Sequence, residues 1–265
     1  MPIYVPGKLT LRQAYIGTDD PDAAAYIAAV EAADGEALET GVQLAIHSFV
    51  KGCKADGIWP ALKASCILAG ARTLDGALVP LKGAAPTNFN FVEGDYDRET
   101  GLVGDGSTKY LDSNRNNNAE PQNNKSVGVY ISTLSSQTGV FRWSLGDSGS
   151  TVLGQYNTDN KHYGRINDQN NIRPGSTSPE TGFVGASRNT ASSITFRVGQ
   201  SDYLVNPTNN LYANVNMHVF KRNNVNTPGY SNARLAFYSI GEALDLSLLD
   251  ARVTDLITAI GVAIP

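Results

Sequence analysis

Two kinds of hydrophobic spacing divide the chain. From Pro21 to about Ala33, and again across Leu38, Val42, Ala45, Ile46, Phe49 and Cys53, apolar residues recur at helical intervals. Asp20-Pro21 supplies an N-cap and a first-turn proline for the first helix, and Gly35 stops it. The second ends at Gly57, and a short third helix is expected after Trp59-Pro60, using Leu62, Ser65, Cys66 and Ala69.

From Asn88 onward the spacing changes to short alternating or wholly apolar runs, cut by Gly, Asn, Asp, Ser and Pro. Strands are predicted at 109–111, 126–132, 139–145, 151–156, 161–166, 181–188, 194–198, 203–205, 214–222 and 234–240. Many short strands with frequent turn signals indicate an antiparallel sandwich or barrel, and the lack of βαβ alternation argues against a parallel sheet.

A third pattern closes the chain. Leu246, Leu249, Val253, Leu256 and Ile260 form an a/d seam on a predicted helix, with Ser247 and Asp250 as a capping box and Gly261 as its end. The seam either packs on the protein's own sandwich or forms the interface of a homotrimer.

Composition sharpens the boundary. Every asparagine of the 265 residues lies at or after Asn88, whereas the preceding segment is rich in alanine. Alanine favours helix interiors and asparagine collects in turns. The expected organisation is an extended arm over 1–19, a helical segment over 20–87, a β-sandwich over 88–244 and a C-terminal helix over 245–265. A net charge of −4 gives no general electrostatic reason to expect nucleic acid or anionic membrane as a partner. No apolar run approaches the roughly 20 residues of a membrane span, and the start lacks an apolar signal core, so a cytosolic origin without membrane insertion is expected. Cys53 and Cys66 both fall in the helical segment and read as buried thiols rather than a disulfide framework.

Several local motifs resemble chemistry. Gly146-Asp147-Ser148-Gly149-Ser150 is similar to the sequence around a serine-protease nucleophile, but the only upstream histidine, His47, lies on a predicted helix, and a hairpin turn is expected instead. Glu93, Asp95, Asp97 and Glu99 alternate as on a glycosidase strand, whose retaining carboxylates stand roughly 5 Å apart. Gly94 and Thr100-Gly101 favour an acidic loop there. Asp95, Asp97, Asp105 and Asp147 are candidate calcium ligands without EF-hand spacing, and the three histidines form no zinc pattern.

The run 101–112, with Gly104-Asp105-Gly106-Ser107-Thr108-Lys109-Tyr110-Leu111 at its centre, resembles the opening strand of phage-encoded concanavalin A-like (laminin G-like) domains. Residues 235–245 resemble their closing strand, and 248–256 their terminal helix. The helices before Asn88, including 49–59, are similar to the lead-in of phage and cyanophage virion proteins. The resemblance covers roughly 88–264. It implies an antiparallel concanavalin A-like jelly-roll sandwich in a virion protein of tail-fibre type, with no catalytic set and no required cofactor.

On that basis the protein is expected to be a non-enzymatic adhesin on the virion exterior. It would be assembled in the host cytoplasm, attached to other virion proteins by the 1–19 arm, and would bind a cell-surface glycan. Trp143, Tyr156, Tyr163, Arg165, Asn167 and Asp168 combine the aromatic, amide and charged groups that sugar sites use, although Trp143 and Tyr156 also suit a core. A capsid decoration, a neck or baseplate brace without glycan binding, and a glycan depolymerase are the alternatives.

Overall fold

The computed structural model describes residues 20–155, 161–169, 180–208 and 212–265; the expected arm and Tyr156 lie outside them. The helices form where the spacing predicts. Helix α1, Pro21–Asp34, is capped by Asp20, whose carboxylate accepts from Asp22 N, and it ends at Gly35 in a left-handed conformation. Helix α2 spans Thr40–Ala55. After it the expectation fails: residues Leu62–Ile67 form strand β1 rather than a helix. They are buried on both sides and pair antiparallel with the last strand, so sheet hydrogen bonding overrides a weak helical pattern. A single helical turn, α3, follows at Leu74–Ala77.

Thirteen further strands build two antiparallel sheets among the described residues. In chain order they are β2 Thr87–Phe89, β3 Tyr96–Asp97, β4 Gly101–Val103, β5 Tyr110–Asn116, β6 Lys125–Thr133, β7 Arg142–Gly146, β8 Val152–Gln155, β9 His162–Arg165, β10 Gly182–Arg188, β11 Ile194–Val198, β12 Ser201–Val205, β13 Asn216–Val219 and β14 Arg234–Gly241. One sheet runs β12-β11-β10-β6-β14-β4-β3, with β1 also paired to β14; the other runs β2-β5-β13-β7-β8-β9. The two face each other across a core that includes Leu111, Val129, Leu153, Phe196, Val219 and Tyr238. The fold is thus a mainly β, two-sheet sandwich with N-terminal helices and a C-terminal helix.

The eight-stranded sheet is covered on its other face as well. Helix α4, Leu246–Ala263, lies with α1 and α2 on Phe183 and Phe237 to make a second core. This explains the nearly continuous burial along β14, where a sheet wetted on one face would alternate. Gly128 and Gly185 face each other across β6 and β10. A Cβ on Gly128 would stand 2.8 Å from the Phe183 ring and one on Gly185 2.7 Å from it, so the pair leaves room for that ring beneath the helix.

The five seam residues Leu246, Leu249, Val253, Leu256 and Ile260 are all buried within the single chain. They are therefore not available as a homotrimer interface, because the protein's own α2 and sheet occupy them. Asp245, not a Ser247–Asp250 box, caps α4 by accepting from Ser247 N, and the helix runs through Gly261 to Ala263. Cys53 and Cys66 are free buried thiols. No helix of the described residues is long and apolar enough to cross a membrane.

Candidate functional site

Among the described residues no helix lies on the outer face of the six-stranded sheet, which is exposed toward its β2 and β5 end and buried around Trp143, Val152 and Tyr163. Its pattern follows from register. Thr87, Asp112, His218, Gly146, Val152 and Arg165 are successive cross-strand partners from β2 to β9, and partners share a face. The neighbouring residues Leu111, Val219, Leu145 and Leu153 point the other way, into the core.

At the β2 end this face carries an aromatic strip. Phe89, paired with Tyr110 across the strands, is 37% exposed and stacks on it, centroids 4.3 Å apart and planes within 4°. The Lys221 ammonium stands 3.7 Å from the Tyr110 centroid and 5.0 Å from that of Tyr230. A cation held against ring faces in this way is stabilised by the ring quadrupoles. Burial depresses the Lys221 ammonium and the nearby Asp112 partly offsets this.

Polar groups flank the rings. Burial works against the Asp112 charge, but His218, Asn114 and Asn216 outweigh it and hold the carboxyl below its ordinary range. Its oxygens accept from Asn114 N at 2.8 Å and Asn216 Nδ2 at 3.3 Å, and His218 Nε2 lies 3.6 Å away. The His218 ring is 4.9 Å from Tyr110. The strip therefore offers an open apolar ring face beside an ammonium, a carboxylate, an imidazole and amides. That combination can seat the apolar face of a sugar ring while exchanging hydrogen bonds with its hydroxyls.

The residues expected to bind glycan are placed differently. Trp143 and Tyr163 share the outer face, flanking Gly154 across β7, β8 and β9, but both are buried. The loop after β13 lies over the indole: Trp143 N donates to Gly229 O at 2.9 Å, and Arg222 sits 5.4 Å above the ring. Trp143 thus supports that loop and is no open platform.

Asn167 and Asp168 are also corrected to structural roles. Asn167 adopts a left-handed backbone, and its amide bonds Asn117, Thr151 and Gln122. Asp168 accepts from Thr208 N and Oγ1, at 2.8 and 3.1 Å. Arg188, fully buried, closes the same knot by donating to the carbonyls of Ile166 and Asn167. Arg165 alone of the described set keeps part of its side chain at the surface.

The candidate calcium ligands each serve their own turn. Asp105 accepts from Ser107, Thr108 and Lys109 N, and Asp147 from Gly149, Ser150 and Thr151 N. Asp97 does the same for Glu99 and Thr100, while Asp95 pairs with Lys109. Among the described residues no group of His, Cys, Asp or Glu converges to hold a metal ion. The Gly146 to Ser150 run belongs to the hairpin connection between β7 and β8, its Ser150 hydroxyl donating to Asp147. Glu93 instead accepts from Leu74 N at 3.0 Å, at the start of α3.

No protein-family model matches the chain, and no curated protein does. Solved structures do resemble it. The HCR/D F1240A mutant shares 11% identity over 74% of this chain and 51% of its own, with a TM-score of 0.50. The Trypanosoma rangeli sialidase, solved with a difluoro-nononic acid, shares 11% identity over 75% of this chain and 33% of its own, also at 0.50. The botulinum neurotoxin serotype D binding domain aligns at 0.49 with 12% identity. The chain spans about half the length of that binding domain. At these identities the likeness establishes the sandwich fold.

Proposed function

We propose that the protein is a non-enzymatic glycan-binding sandwich of a bacteriophage virion, of tail-fibre type, that docks sugar on the outer face of its six-stranded sheet. The exposed Phe89 ring stacked on Tyr110, beside Lys221 and Asp112, carries the glycan part of this reading. Aromatic faces supply binding area at low entropic cost, and the surrounding polar groups give orientation. One structural neighbour is a sialidase solved with a difluoro-nononic acid, which agrees with the reading. The virion part rests on the resemblance of 101–112 and 235–256 to phage domains.

A glycan array probed with the full chain and with Phe89→Ala and Tyr110→Ala tests the glycan part. Selective binding is expected, weakened about tenfold by either substitution, as the loss of about 1.4 kcal/mol of ring contact would produce. Binding unchanged in both folded variants would move the site elsewhere, and no binding by the wild type would remove the function. Antibody labelling of particles tests the virion part. Label on the tail is expected, and its absence from particles would refute that assignment.

A further inference from the structure

Two guanidinium groups meet above the turn at 147–150. Arg165 stands at the β9 end of the outer row, where its Nη1 donates to Gln169 O at 2.6 Å. Its Nε is buried with no hydrogen-bond partner among the described residues. Arg222 uses Nε on Thr227 O at 2.7 Å and Nη2 on Thr227 Oγ1, which leaves Nη1.

Gly149 marks where the leftover groups converge. A Cβ there would lie 3.7 Å from Arg222 Nη1 and 3.9 Å from Arg165 Nη2, and apart from its chain neighbours no other described atom comes within 4 Å. Its φ of 141° is one that side chains rarely adopt, so the space stays open. Asp147 lies nearby, but its carboxylate is engaged by three backbone N–H groups and the Ser150 hydroxyl. Among the described residues neither arginine makes an ion pair. Burial depresses both guanidiniums and Arg165 depresses Arg222 further, while Asp147 offsets part of this for both and Tyr163 and Asp168 do so for Arg165.

We propose that the Arg165–Arg222 pair receives an oxyanion carried by the glycan, a uronate carboxylate or a sulfate ester, so that the ligand is an acidic polysaccharide. This rests on the glycan-binding reading of the same face. Planar, weakly hydrated guanidiniums suit such groups, and charge-assisted hydrogen bonds to them are about twice as strong as neutral ones. Arg165 and Asp112, the carboxylate beside the aromatic strip, are four strand spacings apart in one row, roughly 19 Å, and Arg222 bridges to Gly146 on β7 between them. A ligand that touches both ends is an oligosaccharide lying across the strands.

Calorimetry with the full chain and three oligosaccharides of equal length, one uronate, one sulfated and one uncharged, tests the assignment. At least one acidic ligand is expected to bind tenfold or more tightly than the uncharged one, and which of them does so identifies the oxyanion. Arg165→Gln and Arg222→Gln should each erase that preference. Thr227→Ala removes the hydroxyl that accepts from Arg222 Nη2 but keeps the carbonyl contact and the charge, and should preserve the preference. Equal affinity for all three ligands, or a preference that survives both arginine substitutions, overturns the inference and leaves glycan binding standing. Binding of none of them by the folded wild type overturns the glycan reading and this inference with it.

Discussion

Asparagine and aspartate act mainly as turn builders in this chain. Asp97, Asp105, Asp147 and Asn224 are each followed three residues later by Ser or Thr, and each accepts both that residue's backbone N–H and its hydroxyl. Asp147 is fully buried, so Asp147→Ala would strand three N–H groups and should cost about 3 kcal/mol in denaturant unfolding. A loss below about 1 kcal/mol would contradict this role. The same repeat shows why composition located turns and could not locate a ligand. Phe89 and Tyr110 escaped notice because exposure depends on which sheet face lies open, and Trp143 drew attention although a loop covers it. Burial pushes the Cys53 and Cys66 thiols up to about 12. The folded state therefore binds more protons than the unfolded one between pH 9 and 12. Their stabilising contribution is full below pH 9 and is lost across that window. At pH 8 both should resist thiol reagents until the chain unfolds, and rapid labelling of native protein would contradict their burial.

Most elements were legible because their spacing was strong. Helices α1 and α2, the terminal helix and strands such as β6, β10, β11 and β14 lie where the pattern put them. Strand β1 was not legible, since Leu62-Lys63-Ala64-Ser65-Cys66-Ile67 has no alternation when both of its faces are packed. Helix α4 shows a second limit: an a/d seam reports an apolar stripe, not whether its partner is another copy or the same chain. Here Arg197 Nε donates to Asp250 at 2.7 Å from β11, and Arg252 grips Asp56 beyond α2 at 2.7 and 3.0 Å. Asp250→Ala would leave Arg197 half satisfied in a buried setting and should cost about 3 kcal/mol, read from the melting or denaturant midpoint. A chain ending at Leu244 would expose Phe183 and Phe237, and should misfold or aggregate. Its recovery as a folded, soluble monomer would contradict the packing described.

At the scale of the whole molecule, three layers decide where function can sit. Helices cover the eight-stranded sheet, the sheets cover each other, and the six-stranded sheet keeps an outer face with an aromatic end and a basic end. A cavity of about 410 Å³ also opens beside the start of α4, lined by Ser187, Asn189, Thr195, Asp202 and Asp245, but it has no aromatic lining. The two places make opposite forecasts for a bound sugar. The structure of the full chain with its best array ligand compares them directly. The account expects a sugar ring against Phe89, with the chain of sugars crossing β5 and β13 toward Arg165; a ligand seated only in the α4 cavity, with Phe89 and Tyr110 bare, would contradict it.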